Sequence, residues 1–286
     1  MMSLPFSQWS AFMAYVQGKI AVITGAASGI GRALALQLNR DGCELFLSDI
    51  NEGGLNETVS LLTRKDIPAV SQVLDVASKE AVHAWADRIA ASKGHVDIVI
   101  NNAGVALLAT VEECDYANLE WLMGINFWGV VYGTQAFLPL LRKSRQGHLV
   151  NLSSVFGLIA VPTQSACNAA KFAVRGYTEA LRQEMAGTNV HVCCVHPGGI
   201  KTNIARVARG GNQTLTPEQR GQEFERLAKT SPEVAAQKII TAIEKRKPRL
   251  LIGPDAVIIS LMCRLFPVSY TRFIPRLDKA DHLTSK

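Results

Sequence analysis

Strand-like and helix-like runs alternate along the whole chain. They predict an α/β protein with one doubly wound domain, a central parallel sheet of about seven strands and helices on both faces. The first regular run, Lys19 to Thr24, is continuous and rich in β-branched residues, as expected for a strand buried on both sides. A glycine-rich turn follows it directly and opens a helix, so the strand, turn and helix form one unit.

Length and composition bound the rest. The chain has 286 residues, of which 48% are hydrophobic and 19% charged, enough apolar material for a sizeable core. Its six cysteines (Cys43, Cys114, Cys167, Cys193, Cys194 and Cys263) form no CxxC pair and no metal-finger spacing, which predicts buried free thiols in a reducing cytosol. The first 17 residues are an apolar N-terminal extension with no basic residue before Lys19, a poor match to a secretory signal. The most apolar stretch, Leu250 to Ser269, is broken by Gly253, Pro254, Asp255, Arg264 and Pro267, which excludes a spanning helix there. The expectation is a soluble cytoplasmic protein.

The net charge of +6 is unevenly placed. Residues 1–200 hold 14 Lys and Arg against 16 Asp and Glu, and residues 201–286 hold 16 against 8. The densest run is only Lys245-Arg246-Lys247-Pro248-Arg249, without a reader motif, so nucleic acid is not an expected partner.

In chain order, the turn Gly25-Ala26-Ala27-Ser28-Gly29-Ile30-Gly31 leads into a helix from Arg32. This is the setting in which backbone N–H groups and a helix N-terminus cradle a pyrophosphate. A second strand, Glu44 to Asp49, puts a carboxylate at its C-terminal end about twenty residues later. Asp49 there suits the ribose hydroxyls of NAD and repels the 2′-phosphate of NADP, although Arg32 next to the turn works the other way. A third strand, Ala69 to Leu74, ends in Asp75-Val76, and a helix from Ser78 to Ser92 opens on Ser78 as N-cap. A fourth strand, Val96 to Ile100, runs into Asn101-Asn102-Ala103-Gly104, where small residues admit a nucleotide and Asn102 can tie adjoining strands together.

A helical pattern covers Asn118 to Leu141 and carries Asn126 in apolar surroundings, where the amide needs partners. The strand His148 to Leu152 delivers Ser153 and Ser154, and a helix opens near Gln164. Cys167 and Lys171 are four residues apart on that helix and share a face. A strand from Val190 to Val195 leads into His196-Pro197-Gly198-Gly199-Ile200-Lys201-Thr202. Neither His191 nor His196 has a partner at metal spacing, so no metal site is expected. A polar segment of about residues 203–231, a helix from Pro232 to Lys245 and a strand from Arg249 to Gly253 follow.

These motifs, in this order over residues 18 to 255, resemble the short-chain dehydrogenase/reductase family, a Rossmann-type fold. The turn has the family's T-G-x-x-x-G-I-G form, and N-N-A-G matches a second family motif. The resemblance implies an oxidoreductase moving hydride between NAD(H) and an alcohol/ketone substrate, here an apolar one. It places Gly25, Ser28, Gly29, Ile30, Gly31, Asp49, Asn102, Ala103, Gly104 and Lys171 at the cofactor, with Asp75 and Val76 beside the adenine. Pro197, Gly198, Ile200 and Thr202 would contact the nicotinamide end. It also implies Ser154 polarising the carbonyl and Lys171 tuning the acid/base group. Asn126 is read either as a buried amide on backbone or, as in the family, as the residue that kinks its helix and holds a relay water. Residues 203–231 would be the substrate lid. The helix around Trp121, Phe127 and Trp128 would pair subunits into a homodimer or homotetramer. The apolar, arginine-bearing extension after 255 would meet a neighbouring subunit, cover an apolar pocket or touch a membrane surface, in that order.

One position departs from the pattern: the family's catalytic tyrosine, 13 residues after Ser154 and four before Lys171, is Cys167. A thiol is acidic enough, at about 8.5 against about 10 for a phenol. It stops roughly a ring short of a phenol's reach and is a weak donor, so the expectation is depressed activity. Three explanations remain open: an engineered Tyr→Cys change, a natural variant working through water or the thiol, or a cofactor-binding sensor or scaffold without catalysis. A nucleophilic Cys167 beside Lys171 ranks below these.

Overall fold

The structure is a computed structural model that describes residues 15–210 and 216–272. Its strands and helices, in chain order, are β1 (Ile20–Thr24), α1 (Gly29–Arg40), β2 (Glu44–Asp49), α2 (Glu52–Leu61), β3 (Ala69–Val73), α3 (Lys79–Lys93), β4 (Ile98–Asn101), β5 (Leu107–Leu108), α4 (Tyr116–Met123), α5 (Gly129–Lys143), β6 (Gly147–Leu152), α6 (Ser165–Glu184), β7 (Val190–Pro197), β8 (Arg209–Gly210), α7 (Pro217–Leu227), α8 (Pro232–Glu244), β9 (Arg249–Ile252) and α9 (Pro254–Leu265).

Seven strands form one parallel sheet in the order β3-β2-β1-β4-β6-β7-β9, as expected for a doubly wound fold. Side chains alternate across β1 and divide the core in two. Ala21 and Ile23 pack with Leu34, Leu38, Ile239 and Ile240 on one face, while Ile20 and Val22 pack with Trp85, Ile89 and Phe137 on the other. The strand order reverses beside β1, so the C-terminal ends of β1 and β4 border the crevice where such sheets take ligands.

Several elements differ from the expectation. The helix predicted over 118–141 is α4 and α5 joined by a single π-helical turn, Gly124–Trp128. Asn126 sits in that turn, and such bulges re-aim side chains at functional sites. The fourth strand begins at Ile98, two residues later than expected, and the carboxylate of Asp97 just before it accepts from Ile20 N–H and the Ser144 hydroxyl. Helix α2 is additional; Gly53 and Gly54 weaken its signal, and Asn51 caps it by accepting from Gly54 N. Helix α7 lies within the polar segment and opens on a capping box between Thr216 and Gln219. The tail forms α9, followed by a short turn Ser269–Arg272. Most of the N-terminal extension (1–14), the middle of the expected lid (211–215) and the end of the tail (273–286) lie outside the described residues.

Candidate active site

Beginning at the turn, Gly25 and Gly29 have φ of +70° and +53°, which favours glycine. A Cβ on Gly31 would strike the Gly25 carbonyl, and one on Gly25 would come within 2.7 Å of Ala103 Cα. The turn is therefore pressed against the β4 end. Asn102 holds it there: its Nδ2 donates to the carbonyls of Thr24 (2.9 Å) and Gly25 (3.0 Å). The Thr24 hydroxyl accepts from the N–H groups of Asn102 and Ala103. Ser28 is exposed at the head of α1 and its side chain caps nothing, and Ile30 is half-buried. On the far side, a Cβ on Gly29 would come within 3.0 Å of Thr202, so the turn and the segment after β7 face each other. These residues fit a pyrophosphate: open N–H groups, no side chain in the way and a helix N-terminus behind them.

Asp49 bends over the turn, with Oδ2 accepting from Ala27 N and Oδ1 from Asn51 N, both at 2.9 Å. The guanidinium of Arg32 is already committed to the Ala27 carbonyl, the Thr58 hydroxyl and Glu57 at 2.6 Å. Asp75 is exposed, with Oδ1 accepting from Ala77 N, and Val76 is buried against Gly129. At the other end, Gly198 N donates to the Ile252 carbonyl and Gly199 N to Asp255 Oδ2 at 2.7 Å. Asp255 lies so close that a side chain at Gly198 would collide with it. Pro197 closes β7, and Ile200, buried, forms a bridge to Thr230.

The expected acid/base group gathers at the ends of β6 and β4. Ser154 caps a short turn, Val155–Gly157, with its Oγ accepting from Phe156 N at 3.1 Å. Among the described residues nothing takes the Ser154 hydroxyl proton, which leaves it available to an incoming carbonyl. Lys171 Nζ donates to the Leu152 carbonyl at 3.0 Å, and burial pulls its pKa down to about 8. Both amide ends of Asn126 are taken by Val105, with Oδ1 accepting from its N–H at 2.8 Å and Nδ2 donating to its carbonyl at 2.9 Å. These two bonds hold the Asn126 side chain against the Val105 backbone. The space over Gly104 is bounded by Asn126 Oδ1 and Lys171 Nζ, at 3.2 Å and 3.6 Å from a Cβ built there.

Cys167 is buried in an apolar cluster with Leu107, Leu122, Ala166 and Ala170. Its Sγ points to the Leu107 carbonyl, 3.6 Å away. Burial raises the thiol's pKa, and the opposing influences of the Leu107 hydrogen bond and of Lys171 are smaller. The thiol therefore stays protonated at neutral pH, which suits neither a nucleophile nor a metal ligand.

Three partners gave no signal in the sequence. His196 is fully buried and uncharged, with burial lowering its pKa to about 4. A carbonyl only accepts, so its Nδ1–H donates to the Ser154 carbonyl at 3.0 Å and holds that residue's backbone. The Ser153 hydroxyl donates to the Lys171 carbonyl at 2.8 Å and joins the strand end to α6. The Tyr270 hydroxyl accepts from Ala160 N at 3.2 Å, which brings the tail onto the loop after Ser154.

A profile of the short chain dehydrogenase family matches residues 19–213. The chain belongs to that family. SadH of Mycobacterium tuberculosis, an oxidoreductase by name, is 49% identical over 269 residues, covering 92% of this chain and 96% of SadH. Dehydrogenase/reductase SDR family member 7B of Xenopus tropicalis is 34% identical over 275 residues, covering 94% of this chain and 88% of that protein. Among solved structures, a Burkholderia phymatum short-chain dehydrogenase/reductase in complex with NAD superposes with a TM-score of 0.78 at 32% identity, covering 87% of this chain and 94% of that one.

Proposed function

We propose that the protein is an NAD-dependent oxidoreductase of alcohol/ketone pairs, with an apolar substrate and with turnover depressed by Cys167. The observation that carries this reading is the contrast within one crevice. The residues that would hold a dinucleotide are assembled, while the group at the tyrosine position is a short, protonated thiol turned to the Leu107 carbonyl. Asp49 supports NAD over NADP, since its carboxylate stands above the turn and Arg32, the nearby cation, is tied to Glu57. The solved relatives from Burkholderia phymatum and Mycobacterium paratuberculosis hold NAD.

When bound, the nicotinamide supplies the hydride acceptor or donor. The chain's own residues do the rest. The Gly25–Gly31 turn would hold the phosphates, Asp49 the adenosine ribose, and Asp75 and Val76 the adenine side. Asn102, Ala103 and Gly104 keep the crevice floor narrow, and Pro197, Gly198, Ile200 and Thr202 would contact the nicotinamide end. Ser154 donates its hydroxyl hydrogen to the substrate oxygen. Lys171 would supply positive charge beside the substrate and, with Asn126, borders the space above Gly104. Proton transfer then runs through a water or the Cys167 thiol. Residues 203–231 act as the substrate lid, and the exposed Trp128 stacked on Tyr132 fits a face that pairs subunits. A second reading, a dinucleotide-binding sensor or scaffold, is favoured by the same thiol.

The test is to assay the native chain and Cys167→Tyr with NAD(H) over a panel of hydrophobic secondary alcohols and ketones. The enzyme reading expects turnover that rises at least tenfold in Cys167→Tyr. A Cys167→Tyr protein that binds NADH and turns over nothing would favour the sensor reading instead.

A further inference from the structure

Helix α9 presents an apolar stripe to solvent. Val257, Ile258, Leu261 and Leu265 are 53%, 65%, 58% and 63% exposed. Their spacing of one, four and eight residues puts them on one face. The opposite face is anchored: Ala256 is fully buried, and Asp255 accepts from Gly199 N. Beyond the helix, Tyr270 accepts from Ala160 N, and α9 packs against the Val155–Gly157 turn next to Ser154. The stripe is thus fixed in orientation at the rim of the crevice.

Its flank is cationic. Arg264 borders the stripe, and both Arg264 and Arg175 lie close enough to Arg249 to repel it. The one carboxylate among them, Glu179, is already paired with Arg175 at 3.1 Å. Arg249 Nε is buried without a partner. Residues 201–286 as a whole carry 16 Lys and Arg against 8 Asp and Glu.

We infer that α9 docks on an anionic lipid surface, with the stripe entering the acyl boundary and the arginines meeting headgroup phosphates. One consideration selects this occupant over a second copy of the chain. A 12-residue helix is about 18 Å long, so its stripe offers roughly 200 Å² per partner, well under the ~800 Å² of a stable interface. Amphipathic, arginine-flanked helices that lie in the interface have this build. No helix among the described residues is long and apolar enough to cross a membrane, so the contact is peripheral. Docking there sets the crevice mouth beside the bilayer, where an apolar substrate is concentrated.

The experiment is co-sedimentation of the full chain with phosphatidylcholine vesicles, with and without phosphatidylglycerol, alongside a Leu261→Asp/Leu265→Asp variant and Arg264→Glu. Thermal melting confirms that each variant is folded. The expected result is binding to the anionic vesicles roughly tenfold tighter than to the neutral ones, falling with salt, and lost by at least tenfold in the Leu261→Asp/Leu265→Asp variant. Three results would overturn the inference. The native chain stays in the supernatant with both vesicles; or binding is unchanged in the Asp variant, which would assign it to another segment; or the Asp variant turns a dimer into monomers in sedimentation velocity without altering vesicle binding. These readouts need no cofactor, so they are independent of the proposed reaction.

Discussion

Lys171 gives the site a measurable stability cost. Its pKa falls from 10.5 to about 8 because the amine is removed from water, with Leu152's carbonyl as its sole hydrogen-bond partner among the described residues. A depressed lysine pKa means that the unfolded chain binds the proton more tightly than the folded one. The penalty is full below about pH 8 and disappears as pH rises toward 10.5. At about 1.36 kcal/mol per unit, the ceiling is ~3.4 kcal/mol. Lys171→Met removes that charge and leaves the Leu152 carbonyl unpaired, which costs about 1 kcal/mol. The residue is also partly open to the crevice, so a net gain of about 1–2 kcal/mol is expected at pH 7 in the cofactor-free protein. At about 2–4 °C per kcal/mol this is a rise in Tm of about 2–8 °C. The assay is thermal or urea unfolding of both proteins at pH 7 and pH 10. A variant no more stable than the parent chain at pH 7, or an advantage that does not shrink between pH 8 and 10.5, would show that the buried Lys171 charge carries no such cost.

Other consequences concern the remaining groups. Asp49→Ala removes the acceptor of two backbone N–H groups and the proposed ribose partner. NADH binding by calorimetry should weaken about 10–100-fold while NADPH binding weakens less or improves. Gly31→Ala forces a Cβ into the Gly25 carbonyl, and NADH binding should be lost even where the protein still folds, as read by calorimetry and circular dichroism. Burial raises the pKa of Cys167, whereas Cys114 is only partly buried. Iodoacetamide at pH 7.5 followed by mass spectrometry should therefore modify Cys114 well before Cys167. Asn151→Ala deprives Asn101 Nδ2 of its 2.8 Å partner in the core between β4 and β6 and should cost about 1–3 kcal/mol in urea unfolding.

Much of the fold was legible because its determinants are local. The strand Glu44–Asp49 has the predicted bounds, and Ser78 caps its helix by accepting from Ala81 N. Asn102 ties β1 to β4 through Thr24 and Gly25, a role readable from its place at a strand end. What escaped depends on tertiary partners. Nothing in the spacing of His196 announces that its ring reaches across to the Ser154 carbonyl, and nothing in the tail announces that Tyr270 meets Ala160, 110 residues earlier. The π-helical turn at Asn126 answers the demand of Val105's backbone for both ends of that amide, which helical periodicity does not register. Helix α7 was within reach: Thr216-Pro217 with Gln219 is a capping signature, outweighed by the polar, glycine-bearing sequence around it. The departure at Cys167 was plain in the sequence. Its direction, toward Leu107 and away from water, was not, because it depends on how α6 packs against β5.

A crevice that holds NAD beside a weak proton-transfer group should show itself in calorimetric titration of the chain with NADH and, separately, with NADPH. The expected result is saturable binding of NADH with NADPH at least tenfold weaker, about 1.4 kcal/mol or more, and the same NADH affinity in Cys167→Tyr. Absence of dinucleotide binding in both proteins, or a preference for NADPH, would rule out such a crevice.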